Sequence, residues 1–83
     1  NEAILEARLV AAGQAFRGEL FTEAVALYRA VLAAAPGDSA PSKQVSRTDV
    51  LDLLATALEE DDQMSAAKKV REESERLKAG PSK

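Results

Sequence analysis

Apolar residues recur along this chain at the three- and four-residue spacing of amphipathic helices. The pattern predicts a first helix over residues 2–17, a second over residues 21–35 and a third that begins at residue 46. Pro36-Gly37 marks the end of the second helix, because proline cannot continue the hydrogen-bond ladder of a helix. Residues 37–45 are small, polar and interrupted by a second proline, which predicts a surface loop.

Residues 46–79 contain neither glycine nor proline, so they allow either two helices or one bent helix. The phase of the apolar stripe favours two helices. The stripe that passes through Leu58 reaches only polar residues when it is extended, and apolar character resumes out of phase at Met64. A turn at residues 61–63 explains this shift and predicts a fourth helix over residues 64–79.

Two short patterns mark helix ends in the second half of the chain. Asp49 follows Ser46 at the spacing of a capping box, with Asp in place of Glu, which predicts that Ser46 caps the third helix. Gly80-Pro81 has the order expected just past the end of the fourth helix.

Composition narrows the classes of function. The 83 residues allow one small domain over 1–83, and the chain contains no cysteine and no histidine. Disulfides, thiolate and imidazole metal sites and the commonest general base are therefore excluded. The net charge of −3 argues against a nucleic-acid partner.

The N-terminal region shows no targeting signal. No apolar run reaches the length needed to span a bilayer, so no membrane partner is expected. The first helix is rich in alanine and leucine but carries Glu2, Glu6 and Arg8, unlike a signal peptide. The absence of cysteine and of a signal peptide favours an intracellular protein, cytoplasmic or nuclear. The start at Asn1 rather than methionine suggests a fragment of a longer protein.

The two predicted helix pairs align with each other at a fixed offset. Ala12 corresponds to Ala55 and Ala24 to Ala67, an offset of 43 residues in both cases. Small residues at these four places permit close helix crossing. This alignment predicts an internal repeat of one helical hairpin.

With these residues the chain resembles the tetratricopeptide repeat family, at about two repeats. The first unit matches the family motif best in its second helix, through Phe21, Ala24, Tyr28 and Pro36. The second unit matches best in its first helix. Its matching residues are Leu51, Leu54, Ala55, Leu58 and, after the turn, Ala67.

The chain departs from the family motif at three positions. Arg8 and Ala15 stand where the first unit should carry large apolar residues, and Arg71 stands where the second unit should carry an aromatic. The last helix is also unusually polar, which suits the outer end of a helical array.

The resemblance implies an all-α fold of two antiparallel helix–turn–helix hairpins, a four-helix fragment of a right-handed α-solenoid. Repeat 1 covers about residues 5–38, the loop covers 37–45, and repeat 2 covers about 48–81. Independent arrays usually need about three repeats. The chain is therefore expected to be part of a longer array, to self-associate, or to be stabilised by a partner.

Two other folds remain open. One is an ordinary four-helix bundle whose apparent repeat arises from helical periodicity alone. The other resembles the three-helix microtubule-interacting and trafficking module, whose charged last helix ends in Leu-Lys, as Leu77-Lys78 does here.

In the tetratricopeptide family the first helix of each repeat lines a concave groove. The resemblance assigns to that groove Leu9, Gly13, Phe16, Arg17, Asp52, Thr56, Glu59 and Glu60. Chaperone-binding members hold a peptide carboxylate with Lys and Asn at the positions of Leu9 and Gly13, so binding of chaperone C-termini is not expected. An apolar patch beside an acidic patch predicts a guest with an apolar anchor and basic neighbours. The alternative is that Leu9 and Phe16 are core and the carboxylates face solvent.

The acidic run Glu59–Asp62 does not indicate a metal site or a catalytic site. Calcium loops need ligands at alternating positions and a glycine turn, which are missing here. Lys68–Arg71 is basic, but acidic residues follow at once, so a nucleic-acid or membrane surface is not expected. No phosphate-binding loop or catalytic constellation is present, and we expect neither an enzyme nor a cofactor.

The sequence thus predicts a protein–protein interaction module, a scaffold or adaptor that binds a peptide or helix of a partner protein. A structural or oligomerisation domain that binds no peptide is the alternative.

Overall fold

The computed structural model describes residues 2–35, 37, 40–41 and 45–79. Within these residues the chain forms four α-helices and no strand. They are α1 (Glu2–Arg17), α2 (Phe21–Ala34), α3 (Arg47–Glu60) and α4 (Met64–Ala79). The prediction of an all-α, four-helix protein is confirmed. The division of 46–79 into two helices is also confirmed, with the break at 61–63.

Each helix packs on the next one along the chain: α1 on α2, α2 on α3, and α3 on α4. Contacts at both ends show that α2 and α3 are antiparallel. Arg47, at the start of α3, donates to the backbone carbonyls of Leu32 and Ala35 at the end of α2. At the opposite end, Thr22 donates to the Asp61 carboxylate over 3.0 Å.

The helices meet at small residues. Ala12, Ala24, Ala55 and Ala67 are all fully buried or nearly so. Alanine lets two helix backbones approach closely, and larger side chains then fill the space beside the contact. The larger buried residues include Tyr28, Val31, Val50, Leu51, Leu54 and Leu58. The four aligned alanines therefore lie where the repeat places them, in the helix contacts.

The turns of the two hairpins share one backbone geometry. Glu19 and Asp62, which are 43 residues apart, both have left-handed φ angles, of 64° and 62°. In each turn the amide of the next residue donates to a carbonyl five residues back, over 2.8 Å. This is the Schellman arrangement that ends many helices. The 43-residue correspondence between the two hairpins thus extends to the geometry of their turns.

The predicted cap of α3 is confirmed. The amide of Asp49 donates to Ser46 Oγ over 3.2 Å. α2 ends one residue before its predicted end, and Ala35 leaves the helix with extended backbone. Pro36, Gly80-Pro81 and most of the predicted loop lie outside the described residues.

Candidate functional site

The eight residues predicted to line a groove fall into two groups of equivalent pairs. The first group turns toward the second helix of its own hairpin. In the first hairpin it contains Leu9 and Phe16, which are partly buried and pack against the core. The Phe16 ring meets the Phe21 ring of α2 edge-on, with 5.3 Å between their centroids. The Phe16–Phe21 contact joins α1 to α2, and Leu9 adds to the packing of the core.

Asp52 holds the position of Leu9 in the second hairpin. Its carboxylate accepts hydrogen bonds from Ser74 Oγ at 2.7 Å and from Lys78 Nζ at 2.9 Å, both on α4. Partial burial raises the pKa of Asp52, but the bonds from Lys78 and Ser74 and the charges of Lys78 and Arg71 lower it by more. The carboxylate therefore stays ionised and joins α3 to α4.

Glu59 holds the position of Phe16. Its two carboxylate oxygens each accept from Arg71, one from Nε and one from Nη2, both over 2.9 Å. The hydrogen bond from Arg71 is the largest influence on the pKa of Glu59, and it lowers that pKa. Arg71 itself stands at the position of Tyr28. A bidentate ion pair in the second hairpin thus replaces aromatic residues in the first.

The second group of predicted residues lies on the open side of the hairpins. It contains Gly13 and Arg17 on α1 and their equivalents Thr56 and Glu60 on α3. A Cβ added at Gly13 would meet no heavy atom within 4 Å. Arg17 and Glu60 are exposed, whereas Thr56 is half-buried and donates to a backbone carbonyl one turn earlier in α3.

The charge of Arg17 also affects Tyr28, a buried residue of α2. Burial raises the pKa of the Tyr28 hydroxyl, and the positive charge of Arg17 offsets part of that rise. Arg17 therefore influences the Tyr28 hydroxyl electrostatically from an exposed position on α1.

Two residues on the open side were not predicted as groove residues. Val10 is 60% exposed and Leu53 is 44% exposed, and they are equivalent across the repeat. Each stands one helical turn before Gly13 or Thr56 and on the same side of its helix. Their shared offset of 43 residues was the sequence signal that could have identified them. We call the set Val10, Gly13, Arg17, Leu53, Thr56 and Glu60 the α1/α3 face.

The acidic run after α3 is held by structural contacts. Glu59 binds Arg71, and Asp61 accepts from Thr22 at 3.0 Å and from Gln63 at 2.8 Å. In the described part of the chain, no group of three or more acidic side chains is arranged to hold a metal ion. None of the described helices combines the length and the apolar character needed to cross a membrane.

Comparisons of the chain with protein-family models, curated proteins and solved structures find no match. The groove assignments therefore stay predictions. In this structure Leu9, Phe16, Asp52 and Glu59 make contacts within their hairpins. Gly13, Arg17, Thr56 and Glu60 lie on the side that remains open.

Proposed function

We propose that this chain is a protein–protein interaction module that binds a peptide or helix of a partner protein through the α1/α3 face. The proposal takes the two hairpins as a pair of tetratricopeptide-like repeats. It rests on one observation: Val10 and Leu53 are large apolar side chains, exposed at equivalent positions of two helices that pack on the same helix, α2.

Single exposed apolar residues are common on protein surfaces and need no explanation. Here the exposure repeats with the hairpin, and the proposal is that one guest contacts both side chains. Arg17 and Glu60 stand at equivalent positions beside them and carry opposite charges. The guest that fits best has two apolar anchors, an acidic or neutral group near Arg17, and a basic group near Glu60.

The predicted acidic patch contributes less to binding than its number of carboxylates suggests. Asp52 and Glu59 already bind cationic side chains of α4, and a basic guest would have to displace Lys78 or Arg71 to reach them. Glu60 is the predicted acidic groove residue on the open side. Apolar contact therefore contributes more to this interaction than charge does.

The experiment is a titration of the chain with an amphipathic peptide that carries two leucine anchors and a flanking lysine. Val10→Asp and Leu53→Asp should each weaken binding by about tenfold, or ~1.4 kcal/mol. Met64→Asp is the matched control, because Met64 is equally exposed and apolar but lies on α4. We expect it to leave the affinity unchanged.

Two results would contradict the proposal. One is no saturable binding to any such peptide. The other is an equal loss in the Met64→Asp control. A concentration-dependent oligomer that Leu53→Asp dissociates would support the oligomerisation domain instead.

A further inference from the structure

An open groove runs along the exposed side of α4, and none of its residues belongs to the α1/α3 face. Helical spacing places Lys68 and Glu75 on the same side of the helix, two turns apart. The groove therefore carries a positive charge toward one end and a negative charge toward the other. It has a volume of about 740 Å³ and is lined by Glu59 of α3 and by the exposed residues Met64, Lys68, Arg71, Glu72 and Glu75 of α4.

The first hairpin shows how the same side of a helix is used elsewhere in this fold. In α2 the positions of Lys68 and Glu75 are held by Val25, which is buried, and by Leu32, which packs against the core. With these apolar residues α2 packs against the helix that follows it, α3. A following helix that packed on α4 in the same way would bury Lys68 and Glu75 against apolar residues, which is unfavourable. An occupant of this groove therefore has to supply charges of its own.

A second copy of the chain supplies those charges at matching places. Two α4 helices that lie antiparallel around a twofold axis between residues 71 and 72 place Lys68 of each copy opposite Glu75 of the other. Two identical ion pairs then form, because a twofold axis repeats every contact. The groove is thus complementary in charge to itself.

The charges close to that axis add nothing to the attraction. Arg71 is already bound by Glu59, and the Glu72 carboxylates of the two copies repel each other. Exposed ion pairs also contribute little individually, and dissolved salt screens them. The contact is therefore weak and depends on the salt concentration.

We propose that α4 is a self-association surface. Two copies of this chain form an antiparallel twofold dimer along the α4 groove, and reciprocal Lys68–Glu75 ion pairs set its register. The dimer carries two α1/α3 faces. A partner with two binding segments is therefore held more tightly by the dimer than by one copy.

The first test is sedimentation equilibrium of the full chain at concentrations up to about 1 mM, in low and in high salt. We expect a dimer that high salt weakens. Lys68→Glu and Glu75→Lys should each weaken it about tenfold, because each turns two attractions into two repulsions. The double variant Lys68→Glu, Glu75→Lys should restore it, because the charges are only exchanged. Lys69→Glu, the same change at an exposed lysine on another side of α4, is the matched control and should leave the dimer intact.

A mixture of the two single variants gives the sharpest test. Each variant meets a like charge in a second copy of itself, whereas a mixed pair restores opposite charges at both contacts. Both variants keep a net negative charge, since each change shifts the net charge of −3 by two units. Overall charge therefore does not draw them together. We expect a mixed dimer as tight as that of the parent chain.

A parent chain that stays monomeric at the highest concentration would overturn the proposal. Single variants that stay monomeric when mixed, although the parent chain dimerises, would overturn it as well. So would a loss in Lys69→Glu equal to that in Lys68→Glu. A dimer that Leu53→Asp dissociates and Lys68→Glu does not would place the contact at the α1/α3 face instead. Peptide binding by a monomer is unaffected by these results, so the two proposals fail or succeed independently.

Discussion

Ser74 donates a hydrogen bond of 2.7 Å to the Asp52 carboxylate across the α3–α4 contact, although Ser74 is only 1% exposed. In the first hairpin the equivalent positions hold Leu9 and Val31, which are both apolar. The same place in the fold is thus filled by a polar pair in one hairpin and an apolar pair in the other. The polar pair is tolerated because the bonds from Ser74 and Lys78 satisfy the carboxylate.

The energetic costs of removing the two members of this pair should not be additive. We expect Ser74→Ala to lower the free energy of unfolding by about 1 kcal/mol, because Asp52 loses a short bond in a partly buried site. Asp52→Leu combined with Ser74→Ala should cost less than the sum of the single changes, because no buried polar group is then left without a partner and the exposed Lys78 ammonium is hydrated. Urea unfolding measures this, with Ser65→Ala as an exposed control on α4. Strict additivity would contradict the account.

Stability should fall in acid and stay constant near neutral pH. The folded pKa values of Asp52 and Glu59 lie below their usual values of 3.8 and 4.5. The stabilisation is therefore fully present above those usual values and is lost as the pH falls through the lowered ones. With no histidine in the chain, no histidine titration contributes between pH 5 and 8.

This dependence is measured by urea unfolding at a series of pH values. The double variant Asp52→Asn, Glu59→Gln should flatten the acid limb, and Glu72→Gln serves as a matched change of an exposed carboxylate. A dependence as steep in the double variant as in the parent chain would mean that other groups cause it.

Gly13→Ala should stabilise the chain by about 0.5–1 kcal/mol, because glycine within a helix costs that much relative to alanine. The added methyl has open space around it. Thermal unfolding measures the gain. Gly18→Ala is the contrasting variant, because its Cβ would lie 3.4 Å from the carbonyl oxygen of Gln14, and it should gain less. If Gly13→Ala destabilises the chain, the environment described for this residue is wrong.

Glycine at the left-handed turn positions should also stabilise. Glu19→Gly relieves the cost of a left-handed conformation for a residue with a Cβ, and we expect a gain of about 0.5–1 kcal/mol. Asp62→Gly should gain less, because aspartate tolerates this conformation better. Glu19→Ala removes the charge but keeps the strain, so it separates the two effects. Equal stability of the Gly and Ala variants would contradict the prediction.

Much of the fold could be predicted because it is local in sequence. The phase change after Leu58 located the break between α3 and α4, and the spacing of Ser46 and Asp49 located a cap. The left-handed residues were harder to find, because Glu19 and Asp62 are not glycines and glycine is the usual signal for that conformation.

It was harder to predict which side chains of a helix contact a neighbouring helix. Helical spacing places Asp52 on α3 but does not indicate that its bonding partners lie 22 and 26 residues away on α4. The same holds for Glu59 and Arg71. The family resemblance assigned Asp52 and Glu59 to an open groove, although both bind side chains of the neighbouring helix. Only the three-dimensional arrangement distinguishes them from Glu60.

The two hairpins are stabilised by contacts that respond differently to salt. The contact between Phe16 and Phe21 is stabilised by the exclusion of water, and added salt does not weaken that effect. Glu59 and Arg71, at equivalent positions, attract each other across a wet surface, where dissolved ions shield them. Concentrated salt should therefore weaken the Glu59–Arg71 contact between α3 and α4 and leave the Phe16–Phe21 contact between α1 and α2 unchanged.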